Sequence, residues 1–371
     1  MTKLSKSAAI GATALLMSTS AMAADVKISG FVDFDTHITE TDKAELDSQL
    51  GQDFYIPSLT PTLAGAGESF ENMHHTAQSS RLRLSAKQDG ITAFFELDFF
   101  GSAGNERVSN SDNPRLRRAF IKTDNLLMGQ EWSTFQNLSA IPESASFLVA
   151  SDAQVFVRQN QIRYTNGAFQ IALEDGGRSR VYDNDSNTRS EHQNQEFGDI
   201  VLRYNHKADF GNVSVSYLQR AEVEVEEGVT VDGSGFNIAG RVKAGAGDVR
   251  FSYVSGEGLG RYVGLHATEE GYVDSDNKAH NTESTGHVIA LRYPLGAGRI
   301  NIGNSTLTID NPAEDGRVEE STSSYVAYLW NPKPKLTYGV EYLTADLTKQ
   351  ATGAANEGNM TRMTFSAKLA F

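Results

Sequence analysis

The chain has 371 residues, with 33 basic side chains against 47 acidic ones, a formal net charge of −14 and no cysteine. That balance argues against nucleic acid as a partner and against a polybasic membrane-surface role, and the missing cysteine excludes disulfides, thiolate metal sites and cysteine nucleophiles. The mean hydropathy of −0.38 fits a soluble protein, yet a transmembrane β-barrel gives a similar value because only every second strand residue meets lipid.

Lys3 and Lys6, the short apolar run Ala8–Met17 and the triplet Ala21-Met22-Ala23 form the three parts of a secretory signal peptide. The expected division is therefore a cleaved leader, 1–23, and a single domain, 24–371. No later stretch reaches the roughly 18 to 20 consecutive apolar residues that a membrane helix needs.

From there period-two alternation dominates, in about sixteen segments. They lie near 25–36, 79–88, 91–100, 114–123, 125–132, 157–165, 168–175, 198–207, 210–219, 235–244, 247–255, 285–294, 298–308, 321–331, 334–344 and 361–371. Short breaks rich in Gly, Asn, Asp or Pro alternate with long polar spacers near 37–78, 101–113, 133–156, 176–197, 220–234, 256–284, 309–320 and 345–360. This order predicts an all-β fold: a transmembrane, antiparallel, up-and-down barrel of about sixteen strands, with short periplasmic turns and long extracellular loops. The long spacers carry much of the acid, including Glu222, Glu224, Glu226 and Glu227, Asp183 and Asp185, Glu269 and Glu270, Glu314 and Asp315, and Glu319 and Glu320.

The parity of each segment predicts its faces. Leu82, Leu84, Ala93, Phe95, Leu97 and Phe99 point to lipid, while Arg81, Arg83, Lys87, Glu96 and Asp98 point to an aqueous lumen. Ile162, Tyr164, Ile200, Leu202 and Tyr204 point outward in the same way, and Tyr and Trp near segment ends suit an interfacial girdle. Arg118 and Arg158 break the rule by falling on lipid-facing parity; a bulge at either would re-aim it, and the alternatives are a subunit interface for Arg118 and a place above the membrane, just after a loop, for Arg158.

The inward arginines cluster early, as Arg81, Arg83, Arg115, Arg117 and Arg163, with Arg203 and Arg241 further on. Guanidinium groups along a narrow aqueous path attract anions, and their planar fork suits carboxylates. The bland alternative is that they merely satisfy Glu96, Asp98 and loop carboxylates. The third long spacer, Ser133–Phe156, is rich in small and apolar residues, with Glu143 and Asp152 its only charges. That composition suits a loop folded inward to narrow the lumen.

Enzyme and metal signals are poor. His74-His75 lacks ligand spacing, Asp183–Asn187 starts like a calcium loop but lacks its glycine and terminal Glu, and Gly256–Gly260 has no helix after it. No cofactor is called for. His206 and His287, the notable strand histidines, have no partner that would make a barrel hydrolase. The residues therefore point to a diffusion channel for small hydrophilic, preferentially anionic solutes; the alternative is a barrel whose acidic surface loops give it a structural or adhesive role.

At Arg115–Asn137 and Val157–Asp175, above all in "GQEWSTF" and "RQNQIRY", the chain resembles the DcaP-like porins of Gram-negative outer membranes. The terminal "MTFSAKLAF", ending in Phe371, is similar to the last-strand signal read by the barrel insertion machinery. The resemblance implies a homotrimer of sixteen-stranded barrels embedded in outer-membrane lipid, each with its third loop in the lumen. It also implies uptake of small anions such as dicarboxylates, with Arg115, Arg117, Arg158 and Arg163 as candidates for solute contact. Better-known members carry a helical extension before the barrel; here the first strand begins almost at Asp25.

Overall fold

The computed structural model describes residues 24–46, 48–62, 69–102, 111–184, 188–193, 198–226, 229–313, 316–351 and 356–371. The expected leader, 1–23, lies outside them, as do Asp185, Glu227, Glu314 and Asp315 of the acidic spacers. The strands in chain order are β1 (Asp25–Thr41), β2 (Phe70–Thr76), β3 (Arg81–Gln88), β4 (Ile91–Asp98), β5 (Arg115–Lys122), β6 (Leu126–Trp132) and β7 (Arg158–Asn166). They continue as β8 (Phe169–Glu174), β9 (Arg178–Asp183), β10 (Thr188–Gln193), β11 (Asp199–Ala208), β12 (Gly211–Glu226), β13 (Val229–Ala244) and β14 (Gly247–Glu257). The last are β15 (Gly271–Val273), β16 (Ala279–Asn281), β17 (Glu283–Leu295), β18 (Gly298–Ile309), β19 (Val318–Lys333), β20 (Leu336–Lys349) and β21 (Asn356–Ala370).

One sheet of 17 strands forms the wall, and 16 of them close an antiparallel barrel. Each wall strand pairs with the next. The seam is β1, which meets β3 from Asp25↔Lys87 to Phe31↔Arg81 and β21 from Phe31↔Ala370 to Thr41↔Met360. The extra strand, β2, lies along the rest of β1 from Asp35↔Thr76 to Thr41↔Phe70. Closure leaves no open edge, which is what hydrocarbon demands of backbone N–H and C=O groups.

The predicted faces hold. Leu82, Leu84 and Phe95 are 46%, 44% and 42% exposed, although they are large and apolar, whereas Glu96 and Asp98 on the opposite parity are 1% and 0% exposed. Only a wall with lipid outside and a polar interior makes that inversion favourable. Tyr328 stacks on Trp330, and Trp330 meets Tyr338 edge to face, beside the short turns, as suits a girdle.

Several expected loops turn out to be strand. The spacer expected over 220–234 is mostly the ends of β12 and β13, and the spacer over 37–78 contains β2. On β12 the register slips by one residue between Arg220 and Val223. Below the slip the outer face carries Val215 and Tyr217; above it Glu222, Glu224 and Glu226 face outward and Val223 is buried. The strand has left the lipid, so its polarity reverses, and a one-residue bulge performs the reversal. Above the barrel, β9, β10, β15 and β16 form a separate four-stranded sheet. Its Val181 and Val273 pack with Val231 of β13.

The wall orientation is testable by paired substitutions on neighbouring residues of β3. Leu84→Arg should lower stability in a bilayer by about 2–4 kcal/mol, whereas Ser85→Arg, facing the lumen, should cost less than about 1 kcal/mol. Urea titration in lipid vesicles reads both; equal costs would mean the faces are wrong.

Candidate functional site: the lumen and its inward loops

The loop between β6 and β7 leaves the wall and runs around the inside of the barrel. The Thr134 amide donates to Glu174 of β8 (2.6 Å), and the Phe135 carbonyl accepts from Ser216 of β12 and Asn237 of β13. The Ile141 carbonyl accepts from Arg250 of β14, and Glu143 makes a two-point ion pair with Arg299 of β18, both hydrogen bonds 2.8 Å. Ala145 and Ser146 donate to Glu341 of β20 (2.8 and 2.6 Å), and the Ala153 amide donates to Ser305 of β18. Two wall glycines permit this closeness. A Cβ on Gly339 would sit 2.6 Å from the Cβ of Ala145, and one on Gly286 would sit 2.5 Å from that of Ala153. Behind the loop lies a dry core in which Phe135, Val149 and Val155 meet Leu218, Val254, Leu307 and Leu343 of the wall.

The two loop acids differ in role. Glu143 faces the arginines, with Arg292 also 3.9 Å away. Burial opposes its ionisation, but the hydrogen bonds and charge of Arg299 hold its carboxyl below the usual range. Asp152 is fully buried and accepts hydrogen bonds from Tyr55 (2.6 Å), Ser321 (2.5 Å) and Ser323. It anchors the loop and, through Tyr55, joins it to the first loop; it is not placed to meet a solute.

The sequence-selected arginines fall into three groups. Arg81, Arg83, Arg115, Arg117 and Arg158 gather at one side of the lumen. Glu96 binds Arg83 (2.5 Å) and Arg117 (2.9 Å), and Asp98 binds Arg115 (2.8 Å) and Arg117 (2.7 Å). Aromatic faces support the cations, with Arg81 over Phe31 and Phe147 and Arg158 at 4.6 Å from the Trp132 ring centroid. Arg81 and Arg158 have no ion-paired carboxylate among the described residues. Arg81 Nε, Arg117 Nη2 and Arg158 Nη1 are buried donors without a protein acceptor. The bland alternative thus accounts for some of these cations, not all.

Of the two parity exceptions, a bulge removes one and the other stands. β5 has a bulge where Glu96 pairs with Arg118 and Leu97 with Leu116, so Arg117 is supernumerary. Arg117 and Arg118 consequently both face inward, and Arg118 reaches Glu131 at 2.5 Å and sits over Phe94. Arg158, the first residue of β7, keeps outward parity, yet it is stacked on Trp132 where β5 and β6 part, with Arg115 and Arg117 as charged neighbours.

Arg163 and Arg203 form the second group and grip the start of the inward loop, donating to the Trp132 and Gln136 carbonyls. Arg241 belongs to a third, a ladder on β13, β14, β17 and β18 in which Asp248 binds Arg241, Arg250 and Arg292 (3.1, 3.0 and 2.6 Å). Arg250 and Arg299 were missed from sequence, although each has lumen parity with a polar residue two positions away. His74 is held by Asp53 (2.9 Å), and among the described residues no group of acids and histidines has metal-site geometry.

A further loop closes over this arrangement. The hydroxyl of Tyr262 donates to Asp199 (2.7 Å), and Glu270 accepts from the Arg180 and Arg261 amides and meets Arg220 at 3.2 Å. Burial opposes ionisation of Glu270, but its His266 hydrogen bond and the Arg220 charge outweigh that and hold it at about 2.

A family profile described as DcaP outer membrane protein matches residues 76–371. Among solved structures, the chain is similar to the outer membrane channel DcaP of Acinetobacter baumannii, with 19% identity, a TM-score of 0.76, and 94% of this chain and 98% of that one covered. An anion-selective porin from Comamonas acidovorans gives 15% identity and a TM-score of 0.57, with 94% and 100% covered. A loop L8 deletion mutant of OmpT from Vibrio cholerae gives 12% and 0.55, with the same coverage. At these identities the likeness concerns the fold. No curated protein sequence matches the chain.

Two outcomes check the anchors. Asp152→Ala strips three hydroxyl donors of a buried acceptor and should lower stability by about 2–4 kcal/mol in urea titration; a change under about 0.5 kcal/mol would mean the loop is held elsewhere. Glu270 has a depressed folded pKa, so its contribution is fully present above the ordinary carboxylate value and lost only as pH falls through about 2. Pepsin should therefore cut within 258–270 near pH 2 and leave the segment intact at pH 4.

Proposed function

The chain belongs to the DcaP outer membrane protein family, and from that membership we propose an aqueous diffusion channel that prefers small anions, carboxylates above all. It is an outer-membrane porin by family and by fold. The observation that carries the anion preference is the arginine group of β3, β5 and β7. Of five guanidinium groups three share two carboxylates and two have none, and three buried donor nitrogens among the five remain unspent. Unspent donors in a low-dielectric site favour an incoming carboxylate, which meets no matching competitor in the protein.

The path runs past Arg81, Arg83, Arg115, Arg117 and Arg158, then past Arg163, Arg203 and Arg241. The inward loop, carrying Glu143, takes up lumen cross-section and narrows the passage. Neither Glu96 nor Asp98 works against this, because each is spent on two arginines. The family relatives are channels, and the one hydroxyl–imidazole contact between wall strands on the inner face among the described residues, Thr364 with His37 at 2.9 Å, is fully buried and so closed to a solute. Export with removal of 1–23, insertion through the strand that ends at Phe371, and assembly as a homotrimer complete the reading. In support of the insertion signal, β21 closes the barrel, and Phe371 and Gly30 exchange backbone hydrogen bonds of 3.1 and 3.3 Å.

The test is the reversal potential of purified protein in a planar bilayer under a salt gradient. Anion preference is expected, and Arg81→Gln with Arg158→Gln should move it toward cations; a cation preference in the unaltered protein would sink the proposal. Deleting 139–150 should raise single-channel conductance, and an unchanged conductance would remove the loop from the path.

A further inference from the structure

A second cationic chamber lies under the inward loop, away from the first arginine group. Arg158 and Arg163 sit five residues apart on β7, about 17 Å along the strand. Arg163 is joined by Arg203 and Lys207 of β11 around a cavity of about 330 Å³, roofed by Gln136–Ser139 and bordered by Asn205 and Asn212. Lys207 and Asn212 are paired residues next to the turn between β11 and β12, so the chamber opens toward the short-turn rim.

Its cations are held by neutral groups rather than by ion pairs. Arg163 spends Nε on Thr134 and Gln161 and Nη2 on the Trp132 carbonyl; Arg203 spends Nε on Gln170 and Nη1 on the Gln136 carbonyl. All those acceptors are uncharged. Among the described residues no carboxylate forms an ion pair with Arg163, Arg203 or Lys207. Of the nearby acids, Glu131 is paired with Arg118 and accepts from the Trp132 amide, while Glu174 accepts from Thr134 and Gln159 and acts on Arg163 and Arg203 only from a distance, without an ion pair to either. A second observation points to a ligand. Gln136 is 2% exposed and lines the cavity, yet neither its amide nitrogen nor its amide oxygen has a hydrogen-bond partner. Burying both halves of an amide unpaired is costly unless something mobile satisfies them.

We propose that this chamber is a second solute station, on the periplasmic side of the inward loop, that holds a small hydroxycarboxylate. The proposal rests on the channel reading above and adds a place and a ligand class to it. Three cations with spare donors suit a carboxylate. Gln136 keeps both halves of its amide unpaired, and Ser139, Asn212 and Asn205 form a hydrogen-bonded rim (2.9 and 2.5 Å) whose remaining N–H groups and lone pairs suit hydroxyl groups. A bare inorganic anion would leave the acceptors unused. The volume is at the lower end of small-molecule sites, so the ligand is small.

The probe is D-gluconate, with acetate as the carboxylate lacking hydroxyls, added to single channels in a planar bilayer. Gluconate should interrupt the current with longer residence than acetate. Lys207→Gln should shorten gluconate residence about tenfold, the loss expected for one charge-assisted hydrogen bond, and Lys207→Arg should restore most of it. Unchanged residence in Lys207→Gln, or equal residence for gluconate and acetate, overturns the station while leaving the channel standing. A barrel that inserts but passes no current overturns the channel reading itself, and with it the station.

Discussion

Backbone polar groups in hydrocarbon have only one another to bond to, and everything else in this protein follows from that. The wall closes because β1 takes β21 on one side and β3 and then β2 on the other. Once closed, it has an inside, and the inside is where sequence chemistry becomes free to vary. The lipid face is confined to apolar and aromatic residues by the cost of burying charge. The lumen face carries acids, arginines, amides and small hydroxyls, and the loop that lines it uses them as tethers.

The lumen is built by an uneven division of charge. Four of its carboxylates are shared among arginines: Glu96 and Asp98 each serve two, Asp248 serves three, and Glu143 faces Arg292 and Arg299. Sharing fixes the arginine positions while leaving donors over. A one-to-one pairing would have produced a neutral and more passive interior. The net charge of −14 gives no hint of this, because the surplus acid stands on outer loops and strand ends such as Glu222–Glu226.

Much of the architecture was legible in the sequence because period two and the alternation of short and long spacers are imposed by the bilayer itself. The strand count, the outward face of Leu84 or Ile162 and the inward course of Ser133–Phe156 all follow from that repeat and from composition. Three kinds of feature were not legible. Bulges on β5 and β12 insert one residue without a mark in the sequence, so parity misplaced Arg118 and hid the outward turn of Glu222. Strand above the bilayer loses its apolar outer face, so β2 and the end of β12 read as polar spacer. The division of labour within the lumen depends on which strands meet the inward loop. No local pattern could show that Asp152 is an anchor or that Arg163 holds a carbonyl.

The bulge on β12 also marks a waterline. Below Arg220 the outer face is fit for lipid; from Glu222 onward it is fit only for water. With a rise of about 3.4 Å per residue and a barrel-strand tilt of about 40°, the last six residues of β12 carry an acidic palisade to roughly 16 Å above the bilayer. An anion approaching from outside would be repelled by that fence if it could feel it. At physiological ionic strength, charges are screened beyond about 8 Å, so the fence and the arginines below it occupy separate electrical neighbourhoods. In dilute surroundings, near 0.01 M, screening stretches to about 30 Å, and the same palisade would stand guard over the mouth. The reach of that palisade over the mouth would then be set by the salt of the surroundings rather than by the fold.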